Sequence, residues 1–303
     1  MNTLDAANLD RTVRRTAAVA KPSRSASGQG ATQNLDARRN VVAVAAGLRH
    51  SRGPAPPDIV WSAAPSGLKP AEGAVDVFCA PLDVPAKRLE ELSQHLSPDE
   101  WRRAGRIHHE RDWRHFLIGR GTLREILGLL LNVKPASLEF SNGIFGKPQI
   151  AAPVAGQSLH FNVAHSDSLV VYATSRRELG VDIEHIREMD EADQIASRFF
   201  SPRETNCLHG LPAEQRLEAF FNCWTRKEAY LKAIGRGLDD NIDQIEVSLA
   251  PGEPAELLGT PHASRQWSLH TLAPAPEFVG ALAVQEPDSR VNCWRWTGPG
   301  ALQ

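Results

Sequence analysis

The sequence predicts an α+β fold made of two similar halves in one chain. Three observations carry that expectation. A short alternating strand pattern, a capped helix start and a long helical stretch recur in the same order. Each set is followed by three strand-like runs. At 303 residues the chain is long enough for two ordinary domains or for one body of two related halves.

Each half opens on alternation of apolar and acidic residues. Val75-Asp76-Val77-Phe78 begins the first and Val181-Asp182-Ile183-Glu184 the second. About twenty residues later come Ser97-Pro98-Asp99-Glu100 and Ser201-Pro202-Arg203-Glu204. Serine at the N-cap, proline at the first helical position and glutamate at the third make a capping box with a compatible proline. Longer helices are expected over roughly Arg111 to Leu131 and Gln215 to Ile234. Strands are then expected near Leu138–Phe140, Leu159–Val163 and Leu169–Thr174, and again near Ile245–Leu249, Trp267–Leu272 and Phe278–Val284. The expected division is an extension and linker over 1–72, halves over 73–177 and 178–288, and a tail over 289–303.

Composition narrows the function classes. The chain carries 34 basic and 36 acidic residues, a formal charge of -2. Positions 1–57 hold nine basic and three acidic residues, so the remainder carries -8. An acidic body is a poor match for a nucleic-acid backbone. The first 57 residues contain no aromatic side chain and read as a disordered extension or a misassigned start, closed by the linker Arg52-Gly53-Pro54-Ala55-Pro56-Pro57. The longest apolar run, Val41 to Leu48, is too short to span a bilayer. Four widely spaced cysteines, Cys79, Cys207, Cys223 and Cys293, form no CxxC pair and suit a reducing cytoplasm.

The chemistry concentrates in two segments. In Gly180-Val181-Asp182-Ile183-Glu184, strand alternation turns Asp182 and Glu184 to one face, roughly 7 Å apart, while Val181 and Ile183 bury. Two like charges so placed repel unless a cation lies between them, and a hard divalent ion suits carboxylate oxygens. An acidic strand edge in solvent is the plainer alternative. The second segment runs from Phe220 to Lys232. Phe220, Trp224, Leu231 and Ile234 form an apolar stripe, and Phe221, Thr225, Glu228 and Lys232 line a neighbouring face. Glu228 and Lys232 could be a simple surface ion pair. Lys227 falls inside the apolar stripe, so it either snorkels or reaches a specific anion. Gly235 and Gly237 end the helix.

GVDIE followed some forty residues later by FNCWTRKEAYLKAIGRGL resembles the paired signature of the 4′-phosphopantetheinyl transferases. The likeness is greatest to the surfactin-synthetase-activating type, in which two similar halves share one chain. It covers roughly Val75 to Val284. Gly146-Lys147-Pro148, the strand Phe161-Asn162-Val163-Ala164-His165-Ser166 and the helix Phe116-Leu117-Ile118-Gly119-Arg120 are similar to further family segments. Ala164 stands where serine is frequent, and Arg102, Arg103 and Arg106 where lysine is frequent.

The resemblance implies a pseudo-duplicated fold with the active site between the halves. It implies transfer of phosphopantetheine from coenzyme A to a serine of an apo acyl or peptidyl carrier protein, with release of adenosine 3′,5′-bisphosphate. Asp182, Glu184 and Glu228 would hold Mg²⁺, Glu228 would serve as base, and Lys232 would offset charge on the pyrophosphate. Lys147, His165, Arg103, Arg106 and Arg120 are the candidates for the 3′-phosphate of coenzyme A. No nucleic-acid or membrane partner is expected, and a site complete in one chain points to a cytoplasmic monomer. A Mg²⁺-dependent phosphohydrolase and a non-catalytic coenzyme A- or carrier-binding protein are the alternatives. The assignments HExxH zinc helix, dinucleotide fingerprint and P-loop all fail on spacing.

Overall fold

The computed structural model describes residues 59–143, 146–151, 158–237, 241–261, 266–286 and 289–299. The basic segment 1–57, the apolar run Val41 to Leu48 and Leu238 lie outside the described residues. In chain order the elements are β1 (Trp61–Ala63), β2 (Ala74–Pro81), α1 (Ala86–Ser93), α2 (Pro98–Ala104) and α3 (Glu110–Leu131). Next come β3 (Phe140–Asn142), β4 (Pro148–Ile150), β5 (His160–Ser166), β6 (Leu169–Ser175) and β7 (Leu179–His185). The second half continues with α4 (Ala192–Phe199), α5 (Pro202–Gly210), α6 (Ala213–Ala233), β8 (Glu246–Val247), β9 (Leu257–Gly259), β10 (Ser268–Leu272), β11 (Phe278–Val284) and β12 (Arg290–Arg295).

Both capping boxes form. Ser97 Oγ accepts from the Glu100 N–H, and the Glu100 carboxylate accepts from the Ser97 N–H. Ser201 and Glu204 repeat the arrangement at α5. Each box supports one more contact that its sequence does not announce. Glu100 Oε2 takes Arg124 Nε at 2.7 Å, and Glu204 Oε2 takes Lys227 Nζ at 2.6 Å, each cation coming from the long helix of the same half. A buried carboxylate thus ties each short helix to the long one that follows.

The strands form two main sheets. One is five-stranded in the order β1-β12-β2-β6-β5, and the other three-stranded in the order β10-β11-β7. α3 covers the outer face of the first, packing Ile118 and Leu127 with Phe78 and Tyr172. α6 covers the second, packing Phe220, Trp224 and Tyr230 with Val279 and Ala281. Val75 and Val77 of the first sheet meet Val181, Ile183 and Leu282 of the second in a third apolar cluster that joins the halves. The mixed α+β architecture agrees with the sequence expectation.

The differences are local. The strand expected near Leu138–Phe140 is displaced by a 3₁₀ turn over Pro135–Ser137, and begins at Phe140. The segment expected as a tail supplies β12, which pairs in parallel with both β1 and β2. Among the described residues no helix is long and apolar enough to cross a membrane.

Candidate active site

β7 and α6 bring the two chemical segments together. Asp182 and Glu184 alternate with Val181 and Ile183 on β7, and all four are buried. β7 is the edge strand of its sheet, where Asp182 pairs with Ala281 and Glu184 with Val279, and its burial comes from α6 and β5, which both pack against it. α6 is buried on nearly every side over its C-terminal half, so Glu228 sits in the interior rather than on a surface face. Lys232, one turn on, is half-buried and reaches across to Asp182 Oδ1 at 2.5 Å. The surface ion pair between Glu228 and Lys232 is therefore replaced by an interior arrangement of three charges.

The electrostatics of this cluster are strained toward protonation. Burial raises Glu184 to about 8, with the charge of Asp182 adding to it and Ser166, Arg187 and Lys232 opposing. Burial raises Glu228 to about 7, against the pull of Lys232 and with a further push from Asp182. Asp182 is also raised, by burial, although Lys232 holds it back. Burial works against the charge of Lys232, but Asp182 and Glu228 together raise its ammonium above its ordinary range. Asp182 is the common neighbour: it acts on Glu184, Glu228 and Lys232 alike.

Two carboxylate oxygens here, Asp182 Oδ2 and Glu228 Oε1, are buried without a hydrogen-bond partner. Such atoms are costly unless a ligand satisfies them, and their hard-oxygen chemistry fits a magnesium-type ion. As the side chains stand, no three His, Cys, Asp or Glu groups among the described residues are arranged to hold one ion. The convergence of all three acids on one spot, expected from sequence, is thus incomplete. The Lys232 ammonium sits on Asp182, and mutual repulsion opposes a closer approach of the acids.

The remaining predicted residues divide. Lys147 donates to the carbonyls of Leu179 at 2.7 Å and Ala233 at 3.3 Å, the first residue of β7 and the last of α6. Burial lowers it to about 8, with Glu178 opposing. Strand alternation puts His165 on the face of Phe161 and Val163, opposite to Asn162, Ala164 and Ser166. Arg106 is exposed, and Arg103 is exposed with its guanidinium 5.5 Å from the Phe116 ring centre. Arg120 is half-buried and 3.9 Å from Glu100, so it belongs to the ion-pair group under α2 rather than to a solvated helix face. Lys227 is wholly buried, and its anion is Glu204; the Phe199 and Ile242 carbonyls take its other protons, each at 3.1 Å. It is a framework residue, which answers the intrusion seen in the apolar stripe.

Sequence reasoning missed the groups that hold the acids. Ser166 Oγ donates to Glu184 Oε2 at 2.8 Å, Arg187 Nη1 stands 3.5 Å from the same oxygen, and Asn162 Oδ1 accepts from the Val181 N–H at 2.8 Å. The alternation of Asn162, Ala164 and Ser166 on one face of β5 was the available signal.

Comparison with known proteins bears on the same segments. A family model described as the 4′-phosphopantetheinyl transferase superfamily matches residues 178–283, and one described as 4′-phosphopantetheinyl transferase, N-terminal, matches residues 85–177. The 4′-phosphopantetheinyl transferase HetI of Nostoc sp. is 40% identical over 225 residues, 74% of this chain and 93% of that one. The chain belongs to the 4′-phosphopantetheinyl transferase superfamily. The 4′-phosphopantetheinyl transferase Sfp of Bacillus subtilis is 29% identical over 200 residues, 66% of this chain and 86% of that one. An L-aminoadipate-semialdehyde dehydrogenase-phosphopantetheinyl transferase of Xenopus laevis is 28% identical over 165 residues, 52% of this chain and 55% of that one. The transferase models together span both long helices and the strand β7 that carries the acids.

Proposed function

We propose that this transferase moves 4′-phosphopantetheine from coenzyme A to a serine hydroxyl of an apo acyl or peptidyl carrier protein. The hydroxyl oxygen forms a bond to phosphorus, the P–O bond toward the adenosine side breaks, and adenosine 3′,5′-bisphosphate leaves. The observation that carries this reading is the buried Asp182–Lys232 contact beside Glu228, with a bare oxygen on each acid.

A serine hydroxyl is a weak nucleophile at neutral pH and needs a base. Glu228, raised to about 7 by burial against Lys232, accepts that proton with a basicity matched to neutral solution. Lys232 carries a compact positive charge that offsets developing charge on the leaving diphosphate. Asp182 holds Lys232 in place through Oδ1. Asp182, Glu184 and Glu228 would hold a magnesium ion, which when bound supplies charge neutralisation to the pyrophosphate. Arg103, Arg106 and His165 provide positive or hydrogen-bonding groups for the 3′-phosphate, with Lys147 and Arg120 nearer the protein frame. The same reading has the chain act as a monomer in the cytoplasm, in keeping with four free cysteines.

The test is incubation with coenzyme A, Mg²⁺ and several apo carrier proteins, followed by mass spectrometry. The expected result is a carrier heavier by one phosphopantetheine, with equimolar adenosine 3′,5′-bisphosphate. Release of inorganic phosphate with no carrier modified would refute the reading in favour of a phosphohydrolase. Tight binding of coenzyme A or carrier without turnover would leave only a binding protein.

A further inference from the structure

Ser166 lies at the end of β5, in the first half, yet its hydroxyl touches only groups of the second half among its described hydrogen bonds. Its Oγ donates to Glu184 Oε2 at 2.8 Å and accepts from the His185 N–H at 3.1 Å. Both Ser166 and Glu184 are buried, at 5% exposure each, so water does not compete freely for these bonds. A hydroxyl has one proton and two lone pairs, so it can serve both partners at once. The carboxylate orientation is thereby tied to the backbone of the strand that bears it.

Arg187 reinforces the same restraint. Its Nη1 stands 3.5 Å from Glu184 Oε2 and donates to the His185 carbonyl at 3.2 Å, and its guanidinium lies 5.6 Å from the Phe221 ring centre. The hydrogen bond from Ser166 and the ion pair with Arg187 thus both fall on Oε2 of Glu184. Asp182 shows the same division: Oδ1 is held by Lys232, and Oδ2 has no partner. In each β7 acid the side-chain contacts with protein thus gather on one oxygen, Oδ1 of Asp182 and Oε2 of Glu184.

We propose that Ser166 is a positioning residue: from the first half it fixes the rotamer of Glu184, so that this carboxylate meets a divalent cation together with Asp182. The proposal rests on the metal role of Glu184 given above. Groups that hydrogen-bond a ligating carboxylate act on metal affinity, typically by about 10- to 100-fold when removed. Ser166→Ala deletes the donor while keeping a small side chain. It should weaken Mn²⁺ binding by about tenfold, while the KM for carrier protein changes little. Ser166→Thr keeps the hydroxyl and should restore binding.

The experiment measures Mn²⁺ affinity by electron paramagnetic resonance, in the presence of coenzyme A and without carrier protein, for the wild type and both variants. The magnesium concentration giving half-maximal transfer is read in parallel. Weaker Mn²⁺ binding in Ser166→Ala with recovery in Ser166→Thr supports the role. Equal Mn²⁺ affinity in wild type and Ser166→Ala overturns it, whatever happens to activity. If Ser166→Ala does not fold, Ser166→Cys, which is close in size but a weak donor, takes its place with the same expected loss. A wild type that binds no Mn²⁺ and needs no divalent ion for transfer would instead overturn the metal reading itself, and Ser166 with it.

Discussion

Gly180 sets the spacing of the site, and replacing it with alanine is the sharpest test of that spacing. A Cβ at this position would lie 2.2 Å from the Ala229 carbonyl oxygen and 2.3 Å from the Ala233 nitrogen. Both obstacles are backbone of α6, so no side-chain rotation relieves them. Ordinary contact begins near 3.4 Å, and β7 and α6 must therefore separate by more than 1 Å. The two elements carry Asp182 and Glu184 on one side, and Glu228 and Lys232 on the other. Overpacking of this kind costs about 1–3 kcal/mol, more where backbone must move. A shift of about 1 Å between reacting groups can cost about 100-fold in rate. Gly180→Ala should therefore lower Tm by several degrees, at about 2–4 °C per kcal/mol, and lower kcat/KM for phosphopantetheine transfer by about 100-fold. Thermal melts with a mass-spectrometric transfer assay measure both. A variant with wild-type Tm and wild-type turnover would show that the strand and helix do not meet as described, and the argument from spacing would fail.

Two further outcomes follow from the same interior charges. Lys227→Met removes the cation from a fully buried pair with Glu204, which still accepts from the Ser201 and Val247 N–H groups. Breaking such a pair costs about 3–5 kcal/mol, so a urea titration should show a large loss of stability; a loss below about 1 kcal/mol would mean that the lysine is not holding the framework. The metal-free protein should also lose stability as pH rises. The folded values of Glu184 and Glu228, about 8 and about 7, lie above the ordinary 4.5, so their contribution is complete below about pH 4.5 and lost as pH climbs through 7 and 8. His160 and His270, held below their usual range by burial, act in the opposite sense, so the comparison is with Glu228→Gln, whose Tm should fall less between pH 5.5 and 8. Parallel Tm–pH curves for the two proteins would contradict the assigned direction.

What could be read from sequence was local in origin. A capping box is complete within four residues, and the alternation of Asp182 and Glu184 needs only the strand period. Both therefore appear in the structure where they were expected. Long-range partners left no such trace. Lys227 looked anomalous because its anion lies 23 positions earlier, although Glu204 had already been recognised as a cap. β12 pairs in parallel with β2, placing Asn292 opposite Asp76 across most of the chain, and no local period announces a parallel partner. Lys147 illustrates the same limit. Its loop was expected to offer the ammonium to a phosphate and names no partner within the protein, but the ammonium closes over the start of β7 and the end of α6, where a cation near the helix C-terminus is favoured.

The repeated plan also explains why chemistry gathers in one half. Arg124 and Lys227 hold the same place, each on a long helix and paired with a capping glutamate, and each is followed by an acid, Glu125 or Glu228. Asp76 on β2 likewise answers Asp182 on β7. In the second half Gly180 lets α6 close onto the strand, so the acids share one lysine and keep bare oxygens. In the first half Ala74 stands where Gly180 does, and β12 intrudes. Asn292 and Trp294 both donate to Asp76 Oδ1, at 3.0 and 2.9 Å. Arg88 takes both oxygens of Glu125, and the Trp296 indole N–H lies 3.4 Å from Oε2. Every acid of the first pair is thus answered from within the protein. A cavity of about 550 Å³ opens beside Glu125, yet the acid at its wall has no spare capacity to offer a ligand. The difference between framework and site lies less in which residues are present than in whether a neighbouring strand supplies their partners.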